Sequence, residues 1–371
     1  MSGTTEKRGF AAFLERKNIR FSLKRYGIDA LGAMAQGLFC SLLVGTILKT
    51  LATYVLIPLG LATVGGAIQT CGQMAVDMAG PAMAVSIGYA LQCPPLVLFS
   101  LLAVGWGANT LGGAGGPLAV LVIAIVASEF GKAVSKETKV DILVTPIVTI
   151  LVGGVLAILI AKPIGVAASW VGRLIVLATQ MQPFLMGIAV SVIVGIALTL
   201  PISSAAICAA LGLTGLAGGA AVAGCCANMV GFAVLSFREN KWGGLVSQGL
   251  GTSMLQMGNI VKNPRIWLPA IITSAITGPI ATCLFRLEMN GAAVSSGMGT
   301  CGLVGQIGVI TGWYEPTEQA ISAGAQAIAP GAFQWIGLIL ISFVLPAILC
   351  WALGRLFRWI GWIRDGDLSL N

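Results

Sequence analysis

Residues 142–161 read ILVTPIVTILVGGVLAILIA, twenty consecutive positions without an ionisable group. About 20 mostly apolar residues in helical form cross the hydrocarbon core of a bilayer. Working outward, comparable runs cover 31–48, 51–68, 74–91, 96–106, 117–128, 183–200, 203–235, 267–285 and 335–353. The whole chain of 371 residues is 57% hydrophobic and 9% charged, a balance that cannot keep a water-soluble domain of this size in solution. The expected fold is therefore all-α: a polytopic integral membrane protein of about eight to ten transmembrane helices. Fifty glycines and fifteen prolines are many for plain spanning helices. Non-helical backbone survives at membrane depth only when it is buried in protein or lines a wet cavity. Gly-rich re-entrant segments, and a transporter or channel rather than an anchor, are expected.

Polar groups stranded in such sequence cost free energy unless they serve a purpose. Asp77, Asn228, Gln256, Asn259, Glu288, Glu315 and Glu318 are those groups. The nine cysteines lie in or beside apolar runs, form no CxxC pair, and read as small apolar filler. The chain contains no histidine, which excludes phosphohistidine chemistry, histidine metal sites and histidine acid–base roles within it. No metal site, cofactor or catalytic residue is expected. The net charge of +8 gathers at membrane edges, where it sets orientation, so no nucleic-acid partner is expected.

Lys7, Arg8, Arg16, Lys17, Arg20, Lys24 and Arg25 make residues 1–29 a basic N-terminal arm, either an amphipathic surface helix or a simple orienting flank. No cleavable signal peptide is evident. Residues 129–141 (EFGKAVSKETKVD), 238–241 and 262–265 read as inside loops, and Arg355, Arg358 and Arg364 suggest a cytoplasmic C-terminus. Residues 30–371 are expected to form a single transmembrane domain. Lys139 and Lys262 each stand seven residues before a proline that opens an apolar run, a faint echo of internal duplication.

Four segments could carry chemistry. Gly107–Pro117 (GANTLGGAGGP) is either a broken cavity-lining segment or a surface loop. Ala217–Gly231 is rich in small residues that let helices pack closely, with Asn228 as its polar exception. In Gln248–Pro269, Gln256 and Asn259 are three apart and share a helix face. Paired amides offer donors and acceptors that suit a neutral polyol, although an interfacial helix would look the same. Ser295–Gly308 is Gly-rich like the unwound segments of transporters. It leads to Trp313, Tyr314, Glu315, Pro316 and Glu318, where an acid beside aromatic rings would suit a sugar or an external loop. Pro316 should push Glu315 out of helical conformation. Asp77 reads as a coupling carboxylate or a helix cap near the interface.

On these residues the chain resembles the membrane IIC components of the bacterial phosphoenolpyruvate-dependent sugar phosphotransferase system. More narrowly it resembles an EIIC-like subgroup that includes proteins named as regulators of perfringolysin expression. The similar segments are Ile28–Phe39, Glu129–Pro146, Gln182–Gly187, Leu200–Ala206, Met229–Asn240, Gly249–Trp267 and Gly297–Gln306. The resemblance implies an IIC-like fold, a homodimer in a bacterial cell membrane, and a separate cytoplasmic IIB protein as phosphoryl donor. Its Gly-Ile-Thr-Glu-Pro motif, whose Glu binds sugar, is matched at Gly312, Glu315 and Pro316 only, and its usual partner histidine is absent. Glu315 is thus the implied solute ligand, with Glu318, Gln256, Asn259 and Asn228 as candidate helpers. Three functions stay open: a IIC sugar permease, a non-phosphorylating transporter titrating at Asp77, Glu288 or Glu315, and a membrane sensor or regulator of gene expression.

Overall fold

The computed structural model describes residues 3–370; for Gly3–Arg8 and Phe10 it describes the backbone only, so the side chains of Lys7 and Arg8 lie outside the described residues. The described chain is predominantly helical, and its one β feature is an isolated antiparallel bridge between Gly215 and Met289. Six segments are long and apolar enough to cross a membrane: Arg25–Leu56, Pro95–Val134, Asp141–Thr179, Gly215–Leu235, Pro264–Leu284 and Ala332–Trp359. One of them is two helices, Pro95–Gly112 (α1) and Gly116–Val134 (α2), packed on one another and joined by the tight turn Gly113–Gly115. Counting that hairpin as two passes and adding the shorter apolar helix Pro183–Thr199 gives eight among the described residues. The Gly107–Pro117 run is thus the end of α1 and a hairpin apex, with Gly113 at φ +51°, rather than a long unwound stretch.

The chain forms two compact units, each assembled from separated pieces: 1–42 with 77–165, and 43–76 with 166–371. In the first, Ala79–Ala90 packs on Ala30–Leu38 and on α1, and Asp141–Leu156 packs on α1 and α2. Its basic end is tied by charge. Lys132, 2% exposed, meets Glu129 at 2.7 Å and donates to Asn18 O at 3.1 Å; Tyr26 donates to Glu129 at 2.9 Å. The helix Gly3–Arg16 ends beside this cluster, where Arg16 and Lys17 reach Glu137 at 2.8 and 2.5 Å. The Lys17 hydrogen bond, foremost, holds the Glu137 carboxyl below its usual range.

The second unit is built around Gly215–Leu235 (α4). Pro183–Thr199 (α3), Pro264–Leu284 (α5) and the second half of Ala332–Trp359 (α6) pack on it. Residues 218–233 of α4 are all buried, and eleven of those sixteen are Gly, Ala or Cys. Small residues let backbones approach, which is the contact lipid-immersed helices exploit. The glycines explain themselves here. Gly195 of α3 faces Gly224 of α4, where a Cβ would lie 2.7 Å from Gly224 O; Gly187 faces Gly278 of α5, where a Cβ would lie 2.9 Å from its carbonyl carbon. Gly45 and Gly72 cross likewise, as do Gly80 with Gly105 and Gly115 with Gly165 in the first unit.

Two segments of the second unit are interrupted rather than continuous helix. Residues 247–267 pass through a π-turn (Ser247–Gly251), a 3-10 turn (Ser253–Gln256), a short helix (Met257–Lys262) and another 3-10 turn (Pro264–Trp267). Residues 293–303 carry 3-10 turns at Ala293–Gly297 and Cys301–Leu303, with Gly299 and Gly302 both at φ +51°. Their middles, 251–260 and 295–301, are mostly buried in protein, as broken backbone at membrane depth must be. They meet where the Thr300 hydroxyl donates to the Gly249 carbonyl.

Candidate functional site

Three helices of the second unit, α4, α5 and α6, end together. The Gly215 end of α4, the Leu284 end of α5 and the Phe333 end of α6 surround a pocket of about 310 Å³. Leu284–Glu288, Asn290, Gly312, Trp313, Gln326, Ile328, Phe333 and Gln334 line it. Its polar groups are one carboxylate, one guanidinium and three amides; its apolar walls are three aromatic residues with Leu284, Leu287 and Ile328.

Each piece has a local cause. The bridge between Gly215 and Met289 pins the loop that follows α5, with N–H to carbonyl distances of 3.0 Å in both directions. Asn290 then donates to Glu288 at 3.0 Å and accepts from Gly215 N at 3.2 Å, so it orients the carboxylate. Gly312 lets the loop lie on the helix Val304–Tyr314: a Cβ there would sit 2.7 Å from Asn290 N. One residue on, Trp313 is 3% exposed and meets Trp335 edge to face at 5.1 Å. Its carbonyl accepts from Ile328 N at 2.7 Å, which draws the 323–331 segment over the pocket. Phe285 and Phe333 pack at 5.1 Å on another wall. A carboxylate accepts hydroxyl hydrogen bonds, an amide both donates and accepts, and an aromatic face covers the apolar face of a ring.

Glu315 and Glu318 are exposed, and their carboxylates make no hydrogen bond or ion pair among the described residues. Glu315 leaves the helix at φ −136°, ψ 75°, as a residue before proline should. Thr317, between them, donates its N–H to Asn290 O at 3.0 Å, so both stand close to the pocket rim. The acid beside Trp313 in the pocket is Glu288. Asn290, Gln326 and Gln334 had no signal beyond being amides near a span end.

Asn228, at the middle of α4, is fully buried and fully used. Its amide donates to Gly224 O at 3.1 Å and Ser274 at 3.2 Å; its oxygen accepts from Trp267 at 2.9 Å and Thr199 at 3.2 Å. It ties three helices together. Asp77 is exposed at the junction of Ala62–Asp77 and Ala79–Ala90.

Gln256 and Asn259 do share a face: Asn259 donates to Gln256 Oε1 at 2.8 Å, and Gln256 donates to Gln248 at 2.9 Å. Their remaining donors go to the end of this same chain. Gln256 donates to Leu368 O at 2.9 Å and Asn259 to Ser369 O at 2.8 Å. This cluster sits at the Pro264 end of α5, so it and the pocket are separated by the 21 residues of that helix, about 30 Å at 1.5 Å per residue.

No metal-binding cluster of His, Cys, Asp and Glu occurs among the described residues. No curated protein and no solved structure matches this chain. The family described as "Phosphotransferase system, EIIC" matches residues 28–370, nearly the entire length. With its apolar helices long enough to cross a bilayer, this multi-pass chain belongs to the phosphotransferase-system EIIC family of membrane transport components.

Proposed function

We propose that the chain is a sugar or polyol permease of the IIC type, and that the Glu288–Trp313 pocket receives the solute. The observation that carries this reading is one oriented carboxylate, three amides and aromatic and aliphatic walls around about 310 Å³, a volume suited to a small polyol or monosaccharide. Glu288 would accept hydroxyl hydrogen bonds, Asn290, Gln326 and Gln334 would complete them, and Phe285 and Phe333 would cover the apolar face, with buried Trp313 backing the wall. Glu315 and Glu318 would meet the solute at the rim. Asn228 would act by holding α3, α4 and α5 in register.

Orientation follows from charge. The far ends of the same helices carry Arg238, Lys241, Lys262, Arg265, Arg355, Arg358 and Arg364, against Arg286 alone at the pocket end. The positive-inside rule then faces the pocket outward and puts the Gln256–Asn259 cluster and both termini in the cytoplasm. A separate IIB protein would dock on that basic face and supply the phosphoryl group, and a second copy of the chain would complete a homodimer in the bacterial cell membrane. The absence of histidine favours a second reading, in which the same scaffold carries or senses solute without phosphorylation.

A thermal-shift screen of purified protein against neutral sugars and polyols tests the pocket. At least one should stabilise the wild type, and Glu288→Gln should weaken its binding about tenfold or more, since hydrogen bonds to charged groups contribute roughly 1.5–3 kcal/mol. Unchanged affinity in Glu288→Gln would remove the pocket from the proposal.

A further inference from the structure

After α6 the chain reverses. Gly361, at φ +81°, ends the helix with Trp362 N bonded to Phe357 O at 2.9 Å and Gly361 N to Arg358 O at 3.1 Å, the paired bonds of a Schellman turn. Gly366, at φ +94°, bends it a second time. Segment 365–370 then lies in a cleft built of side-chain amides. Asn240 donates to Leu368 O at 2.8 Å and accepts from Leu370 N at 2.8 Å. Gln256 and Asn259 donate to Leu368 O and Ser369 O, and Asn263 donates to Trp362 O at 3.0 Å and to Asp367 at 2.8 Å. Every one of these contacts is between a neutral amide and an acceptor or donor on the tail.

We propose that this amide cleft is a binding site whose present occupant, segment 365–370, is an intramolecular ligand that leaves and returns. Three features support exchange over permanent burial. Leu368 is the segment's single fully buried residue, so little apolar surface holds it. The ion pair that steadies its base, Arg238 with Asp365 at 3.4 Å, is exposed and therefore weak. Gln256 and Asn259 are buried while the segment is in place, and its departure opens them to water or a solute hydroxyl, either of which replaces the carbonyls they lose. Departure of the segment frees donors on Asn240, Gln256, Asn259 and Asn263 and an acceptor on Asn240, all facing one cleft. Such a set reads an extended backbone or a row of hydroxyls. The solute role rests on the permease reading; the self-ligand role does not. On the permease reading, the segment is a competitor that closes the inner end of the second unit until a solute, arriving from within, takes over its hydrogen bonds.

Hydrogen exchange on the full-length purified protein tests this first. The amide of Leu370 and its neighbours should exchange more slowly than in the free heptapeptide RDGDLSL, yet far faster than α4. Asn240→Ala and Asn259→Ala should each raise the rate about tenfold. Free-peptide rates in the unmodified protein, or protection equal to that of α4, would overturn the proposal. The second measurement uses a variant truncated after Ile363, checked for wild-type helicity, with fluorescent RDGDLSL added in trans. The peptide should bind the truncated protein and not the full chain, and Gln256→Ala in the truncated protein should abolish binding. Equal binding to both proteins, or to neither, would sink it. A sugar screen without hits leaves these outcomes untouched, so the two readings fail separately.

Discussion

Glu288 and Glu137 show what a carboxylate does in two settings. Glu288 has an amide for a neighbour and a pocket in front of it, so its charge is directed at whatever enters. Glu137 has two cations and serves attachment. Because its carboxyl is held below the usual range, its contribution is present above that range and is lost as pH falls through the lowered value. Loss of amide-exchange protection at Leu14–Lys17, corrected for intrinsic exchange, should therefore set in only in strong acid, and Glu137→Gln should move its onset to higher pH. Equal onset in both proteins would show that the arm is held by other contacts. The pairing of Gln256 with Asn259 was legible because three-residue spacing places side chains on one helix face. What fills their other donors was not, because Ser369 is 110 residues further on. Glu288 and Trp313 have the same difficulty: no periodicity links residues that a buried loop brings together.

Among the elements, the long apolar runs were legible because crossing a bilayer requires a length and excludes charge. The glycines were harder to read. In sequence they suggest broken helices, and in 293–303 they do break one. Four of the eight on α3, α4 and α5, Gly187, Gly195, Gly224 and Gly278, instead permit backbone contact between neighbouring helices. Both uses rest on the missing side chain, and sequence spacing does not separate them. The structure makes the packing role testable. Gly278→Ala places a methyl group against Gly187 and Ser191 in a seam with no free space. It should cost roughly 1–3 kcal/mol, as overpacking does, read as a lower unfolding temperature in detergent. Gly154→Ala, where nothing lies within 4 Å of the new methyl, is the matched control and should be neutral or better.

At the scale of the whole molecule, family and class were legible over nearly the entire chain, and the family match confirms both over residues 28–370. Orientation is the molecular property that charge predicts and helix packing does not. A cysteine placed at the exposed Gln326 should react with a membrane-impermeant maleimide added to intact cells, whereas one at Ser369 should react only after the cells are opened. The reverse pattern would turn the pocket inward and recast the segment at 365–370 as an outer closure. The crossings at Gly187 with Gly278 and Gly195 with Gly224 have a mechanical consequence. Helices that interlock by side chains must lift over one another to slide, but glycine against glycine leaves no teeth. At these two crossings backbone dipoles and weak Cα–H···O contacts meet directly, and side-chain latches grip the same seam, Ser191 on Ser274 O at 2.7 Å and Thr199 on Asn228 at 3.2 Å. The glycines thus make α3 a smooth track, and those few hydroxyl latches, not interlocking side chains, are what fix its position along that track.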